Sequence, residues 1–212
     1  MTLFDLKIYF LLFIIYSFAG WIIDTSDVFI EEKKLVKRGF LFAPLCPVYG
    51  TCSVLMILVL NKIQNPWLLY LLCVILCSVT EYFTGYIMEK VFKARWWNYS
   101  HNKFNLHGRI CLRNCLLFGL GGFLLIKIIN PQVVGIITKI DPTIIDVCFY
   151  ILLITFILDV ATSTKLISNL KKQSYISNNE DNTDTIVAQK NKQVKKNYKK
   201  YKEKITKSNK EK

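Results

Sequence analysis

The chain is poor in histidine and in acids, and it carries no nucleotide-binding loop. Its only histidines are His101 and His107, close together in one polar stretch. The seven cysteines therefore have no imidazole partners at ligand spacing, and no metal or other cofactor is expected. The motif Gly-x-x-x-x-Gly-Lys-Ser/Thr is absent, so ATP hydrolysis by that route is excluded for these residues. The nearest glycine cluster, Gly119 to Gly122, lies inside an apolar run, where small residues instead let a neighbouring helix approach. No small-x-small cleavage site follows the first apolar run, and Asp5 precedes it beside Lys7, so that run reads as a retained span and not as a cleaved signal.

What is abundant is apolar surface and positive charge. Hydrophobic residues make up 52% of the 212 and the mean hydropathy is +0.31, yet the net charge is +13. The two are segregated. Residues 1–164 hold 14 Lys/Arg against 10 Asp/Glu, while residues 165–212 hold 14 Lys against 5 acids. An apolar body with a basic tail is neither a soluble enzyme, a disulfide scaffold nor a wholly disordered chain.

About 20 consecutive apolar residues cross a bilayer. Five segments approach that length: Ile8 to Ile23, Phe40 to Leu60, Pro66 to Met88, Ile110 to Ile129 and Ile144 to Ala161. The breaks at Asn61–Asn65, Arg95–His107 and Asn130–Pro142 hold the polar and turn-forming residues that hydrocarbon rejects. The expected fold is all-α, a polytopic membrane bundle of about five helices (1–164) followed by a basic cytoplasmic tail (165–212). The second span is expected to be broken, because Pro44, Pro47 and Gly50 interrupt it around Tyr49. Such a break either lines a cavity or is a simple kink.

Cations are retained on the cytoplasmic side. With five spans, 24 of the 28 Lys/Arg fall on one side and Lys7, Lys62, Lys127 and Lys139 on the other. This puts the N-terminus outside and the tail in the cytoplasm. Within the tail, most of residues 168–184 read as a disordered linker. Val187, Val194, Tyr198, Tyr201 and Ile205 form a narrow apolar stripe on a Lys-rich helix, 185–206, suited to an anionic lipid surface. Tethering to a membrane argues against nucleic acid as its partner.

Acids inside spans are functional or pairing residues by default. Asp24, Asp27 and Glu31 continue a stripe begun by Ser17 and Gly20, and Ser78, Glu81, Gly85 and Glu89 repeat the pattern in the third span. Arg38 enters the second span, and Arg109 and Arg113, four apart, enter the fourth. The spacing predicts a polar cluster of Asp24, Arg38, Glu81, Glu89, Arg109 and Arg113 at the cytoplasmic mouth, with Glu81 and Arg109 as a pair to exchange. It is either a substrate, ion or proton site, or a set of assembly pairs. Asp159 lies near a helix end and is expected to reach water. The cysteines, including the four-apart pairs Cys73/Cys77 and Cys111/Cys115, are expected to pack. Trp96, Trp97 and Tyr99 suit either an interfacial aromatic belt or a docking lid.

These residues resemble the type IV ABC-transporter permease family, the CmpB-like membrane proteins of bacteria. The matching blocks are Gly20-Trp21 with Asp24, Arg38-Gly39-Phe40-Leu41, Pro44-x-Cys46-Pro47-x-Tyr49-Gly50, Glu81-Tyr82, Glu89-Lys90, Ala94-Arg95-Trp96-Trp97-x-Tyr99-Ser100 and Phe104-Asn105-x-x-Gly108-Arg109-Ile110-Cys111. Departures are Asp24 for Glu, Asn98 for Asp and His107 for Asn. The resemblance implies a non-enzymatic permease in the bacterial plasma membrane, with a separate ATPase subunit on the cytoplasmic face and a homodimer or partner permease to complete the path. It adds Tyr82, Arg95, Asn105 and Gly108 to the candidate residues. A membrane enzyme acting on a lipid or prenyl substrate, with Glu81, Asp24 or Glu89 as acid/base, and a non-catalytic partner or sensor remain the alternatives.

Overall fold

The structure, a computed structural model, describes residues 2–32, 39–92 and 95–172, with Lys192 and Lys196. It is mostly helical: α1 (Leu3–Glu32), α2 (Pro47–Leu60), α3 (Pro66–Phe92), α4 (Leu112–Leu124), a π-helical turn (Leu125–Ile129), α5 (Asn130–Ile137) and α6 (Pro142–Lys172). A two-stranded antiparallel hairpin, β1 (Asn105–Leu106) and β2 (Ile110–Cys111), precedes α4. Four stretches are long and apolar enough to cross a membrane: Leu3–Ser26, Pro66–Phe92, Leu112–Ile137 and Pro142–Ser168.

The second expected span is helical only from Pro47 onward. Pro47 occupies the first turn of α2, where its missing N–H costs nothing, and the residue before it, Cys46, is extended at φ −115°. The 14 residues of α2 reach about 21 Å, short of a ~30 Å hydrocarbon core. Residues 39–46 lead into it as irregular chain, and several of their backbone N–H groups are satisfied by protein. Cys46 N–H donates to the Ser17 carbonyl at 2.9 Å, and the N–H groups of Phe42 and Ala43 donate to the two Asp159 oxygens at 2.8 and 2.7 Å. Asp159 was expected to face water; instead its carboxylate anchors the unwound chain.

A second difference concerns the break expected at Asn130. Helix runs through it without interruption from Leu112 to Ile137. Pro131 has no N–H and would crowd the carbonyl four residues earlier, and the wider π turn just before it relieves that clash. Asn130 is buried, and its side-chain oxygen accepts the Tyr16 hydroxyl at 2.9 Å.

Helices α1, α2, α3, α4–α5 and α6 pass alternately up and down between two ends. At one end Lys7 pairs with Asp146 at 2.7 Å and Lys127 Nζ donates to the Ile63 carbonyl at 3.1 Å. The other end holds Asp24, Glu81, Glu89 and the 95–111 loop. Between them lies a core of Leu12, Tyr16, Met56, Leu69, Cys73, Ile126 and Ile145. Glycines permit close approaches between the helices: Gly50 receives Ser17 and Phe13, Gly119 faces Val74, and Gly122 faces Met56 and Cys73. Cys52 and Cys77 sit in this core with sulfurs 3.3 Å apart. The outward faces are apolar, with Phe83, Leu117, Ile151 and Leu158 all exposed.

Helix α6 continues beyond residue 164 to Lys172, so the helix takes in the first residues of the 168–184 stretch. The expected tail helix 185–206, apart from Lys192 and Lys196, lies outside the described residues, as does Arg38.

Candidate functional site

The polar end is built around three carboxylates on two helices. Asp24 projects from α1 toward the start of α2, where the Tyr49 hydroxyl donates to it at 2.6 Å and the Cys46 thiol lies 3.5 Å away. Tyr49 reaches this position because Gly20, one turn before Asp24, has no side chain to block its ring. Pro44 stands in the irregular lead-in, Pro47 starts α2, and Gly50 lets the helix close on α1.

Glu81 is buried in α3, at 7% exposure. Its Oε1 accepts the Tyr99 hydroxyl at 3.1 Å, and its Oε2 has no hydrogen-bond partner among the described residues. Tyr99 comes from the loop, not from a helix. Burial pushes its phenol well above the ordinary range, and the charges of Glu81 and Asp24 act in the same direction, so it stays a hydrogen-bond donor at any physiological pH.

Glu89, two turns further along α3, makes a separate centre. Arg109 Nη2 lies 2.9 Å from Oε2, and Arg95 Nε lies 3.2 Å from the same oxygen. The Arg109 guanidinium also stands 5.4 Å from the ring centres of Tyr82 and Tyr86. The space left beside Gly85, Glu89, Arg95, Trp97 and Arg109 is about 10 Å³, room for one water. This second centre is a closed ion pair, in contrast to Glu81 with its open oxygen.

The 95–111 loop makes the lid over both. Trp96 is buried against Phe40, Phe92, Met88 and Ile167, not spread along an interfacial belt. Trp97 lies on Gly85 and donates its indole N–H to the Arg109 carbonyl at 2.9 Å. The chain then reverses at His107-Gly108, both with positive φ (54° and 67°), and Arg109 N–H closes the turn on the Leu106 carbonyl at 3.0 Å. Asn105 braces that turn, its Oδ1 accepting Gly108 N–H at 3.0 Å, while Tyr82 and His107 meet at 3.1 Å. Asn98 accepts the Ser100 hydroxyl and N–H within the loop.

The six-residue cluster expected from spacing therefore divides. Asp24 and Glu81 share one centre, Glu89 and Arg109 another, and Arg113 is exposed on the outer face of α4. Arg109 pairs with Glu89 and not with Glu81. Arg109 and Arg113 do not share a helical face either, because Arg109 precedes β2 and helix begins only at Leu112. The same holds for Cys111, which caps α4 from β2 while Cys115 lies within the helix. Tyr99, Cys46 and Asp159 were missed as contributors. The sequence signal for Cys46 and Tyr99 was their place inside the proline and tryptophan blocks, and for Asp159 it was an acid within an apolar run.

A family model described as Putative ABC-transporter type IV matches residues 11–164. No curated protein and no solved structure matches the chain.

Proposed function

The chain belongs to that type IV ABC-transporter family, and from this premise we propose that it is the membrane-spanning, permease-type subunit of an ABC-type transporter. ATP hydrolysis comes from a separate subunit docked on the cytoplasmic face, consistent with the lack of a phosphate loop. The observation that carries this reading is Glu81, a carboxylate buried in an apolar bundle, forming no ion pair among the described residues and keeping one oxygen open beneath a folded lid. Burying an ionisable group without a fixed counter-charge is costly and suits an ion, a proton or a charged substrate group that comes and goes. Asp24, held by Tyr49 beside it, is the second member of that step.

The protein sits in the bacterial plasma membrane with its N-terminus outside and its tail inside. The cation-rich groups support this, since Lys90, Arg95, Lys103, Arg109 and Arg113 gather at the end toward which α6 carries the Lys-rich tail. Five passes are few for a translocation path, so a second copy or a partner permease completes it.

Affinity purification of the intact protein in mild detergent tests the reading. An ATPase is expected among the retained proteins; repeated recovery without any ATPase or other transporter subunit overturns it.

A further inference from the structure

A groove on the outer side of the lid is unused by the carboxylate centres. It lies between the loop and α4 and has a volume of about 330 Å³, lined by Asn102, Lys103, Phe104, Leu112, Arg113 and Leu116. Two of the six are cations and none is an acid. Neither Lys103 nor Arg113 forms an ion pair among the described residues. The other walls are apolar and open: Phe104 is 80% exposed, and Leu112 and Leu116 are exposed on the same helix. Below them Leu120 and Leu124 prolong the apolar surface down the span.

The position matters as much as the composition. Arg113 stands in the first turn of α4, where the span begins, so its guanidinium is at the level at which water gives way to hydrocarbon. Loop cations at this level attract anionic headgroups. A soluble anion would satisfy the charges but leave Phe104, Leu112 and Leu116 in water. An uncharged lipid would cover the leucines but leave both cations unanswered.

We infer that this groove binds one anionic phospholipid of the surrounding leaflet, its phosphate between Lys103 and Arg113 and its acyl chain along Leu112 and Leu116. The inference rests on the fold and is independent of whether the protein transports anything. Because Trp97 and Tyr99 of the same loop reach the carboxylate centres, a lipid held here steadies the lid.

Native mass spectrometry of the full chain in mild detergent, titrated with phosphatidylglycerol, phosphatidylcholine or glycerol phosphate, tests it. Phosphatidylglycerol is expected to bind, and the double variant Lys103→Gln/Arg113→Gln to bind it about 30-fold more weakly, the effect of losing two membrane-facing cations. Each single variant should lose about fivefold. Lys192→Gln/Lys196→Gln, which changes only the tail, should leave this first binding event unchanged. Equal binding of phosphatidylcholine, equal binding by the Lys103/Arg113 variant, or glycerol phosphate binding as tightly as the lipid overturns the proposal.

Discussion

Asp159 illustrates how much one side chain can hold at this scale. Its two oxygens accept the N–H groups of Phe42 and Ala43, and Oδ1 also accepts the Ser163 hydroxyl at 3.0 Å. These are partly buried groups with no helical partner, and each donor left unsatisfied costs about 1–3 kcal/mol. Asp159→Ala is therefore expected to lower stability by about 2–4 kcal/mol, and Asp159→Asn, which keeps one acceptor, by about half of that. Thermal unfolding in detergent measures both; an unchanged midpoint for the alanine variant would show that the lead-in before α2 holds itself. Glu81 behaves in the opposite way. Glu81→Gln keeps the volume and the acceptor for Tyr99 while removing a desolvated charge, so the midpoint should be held or rise slightly. If Glu81 serves transport, the same variant fails to complement a deletion strain despite normal insertion. A large fall in the midpoint with function retained would make it a structural residue.

At the scale of elements, the bundle depends on which glycine faces which helix. A Cβ on Gly122 would stand 3.1 Å from Met56 Cε and 3.3 Å from Cys73 Cβ, whereas one on Gly121, the adjacent residue, meets nothing within 4 Å. Gly122→Leu should therefore cost about 1–3 kcal/mol by forcing α4 away from α2 and α3. Gly121→Ala should be neutral or stabilising by up to about 1 kcal/mol from helix propensity alone. The comparison is made by thermal shift, and equal effects at the two positions would contradict the observed packing. Most helices were legible from the sequence because an apolar run of span length has few other ways to satisfy its backbone. The hairpin was not. Fourfold spacing put Arg109 and Arg113 on one face, but that inference assumes helix, and the His107-Gly108 turn ends the assumption. A polar residue before glycine, flanked by Leu106 and Ile110, was the available hairpin signal.

For the whole molecule, the alternating passes make a statement about sides. The chain crosses an odd number of times only if the partly unwound second pass counts, and its protein-satisfied backbone allows it to. A C-terminal tag should then be cleaved by protease added to inverted vesicles, and an N-terminal tag by protease added to right-side-out cells. Both tags on one side would remove a pass. Sequence alone determined that this is a membrane bundle with a basic tail. Hydropathy and charge are summed along the chain, and water rejects the one while the cytoplasmic side retains the other. It also restricted the polar end to a handful of residues. Only the tertiary structure decided that Glu89 takes both arginines, that Glu81 keeps an open oxygen, and that Asp159 answers a backbone more than a hundred residues away. Such pairings depend on where a turn reverses and how closely helices pack. Those distances are set by contacts between segments far apart in the chain, and spacing within any one segment carries no record of them.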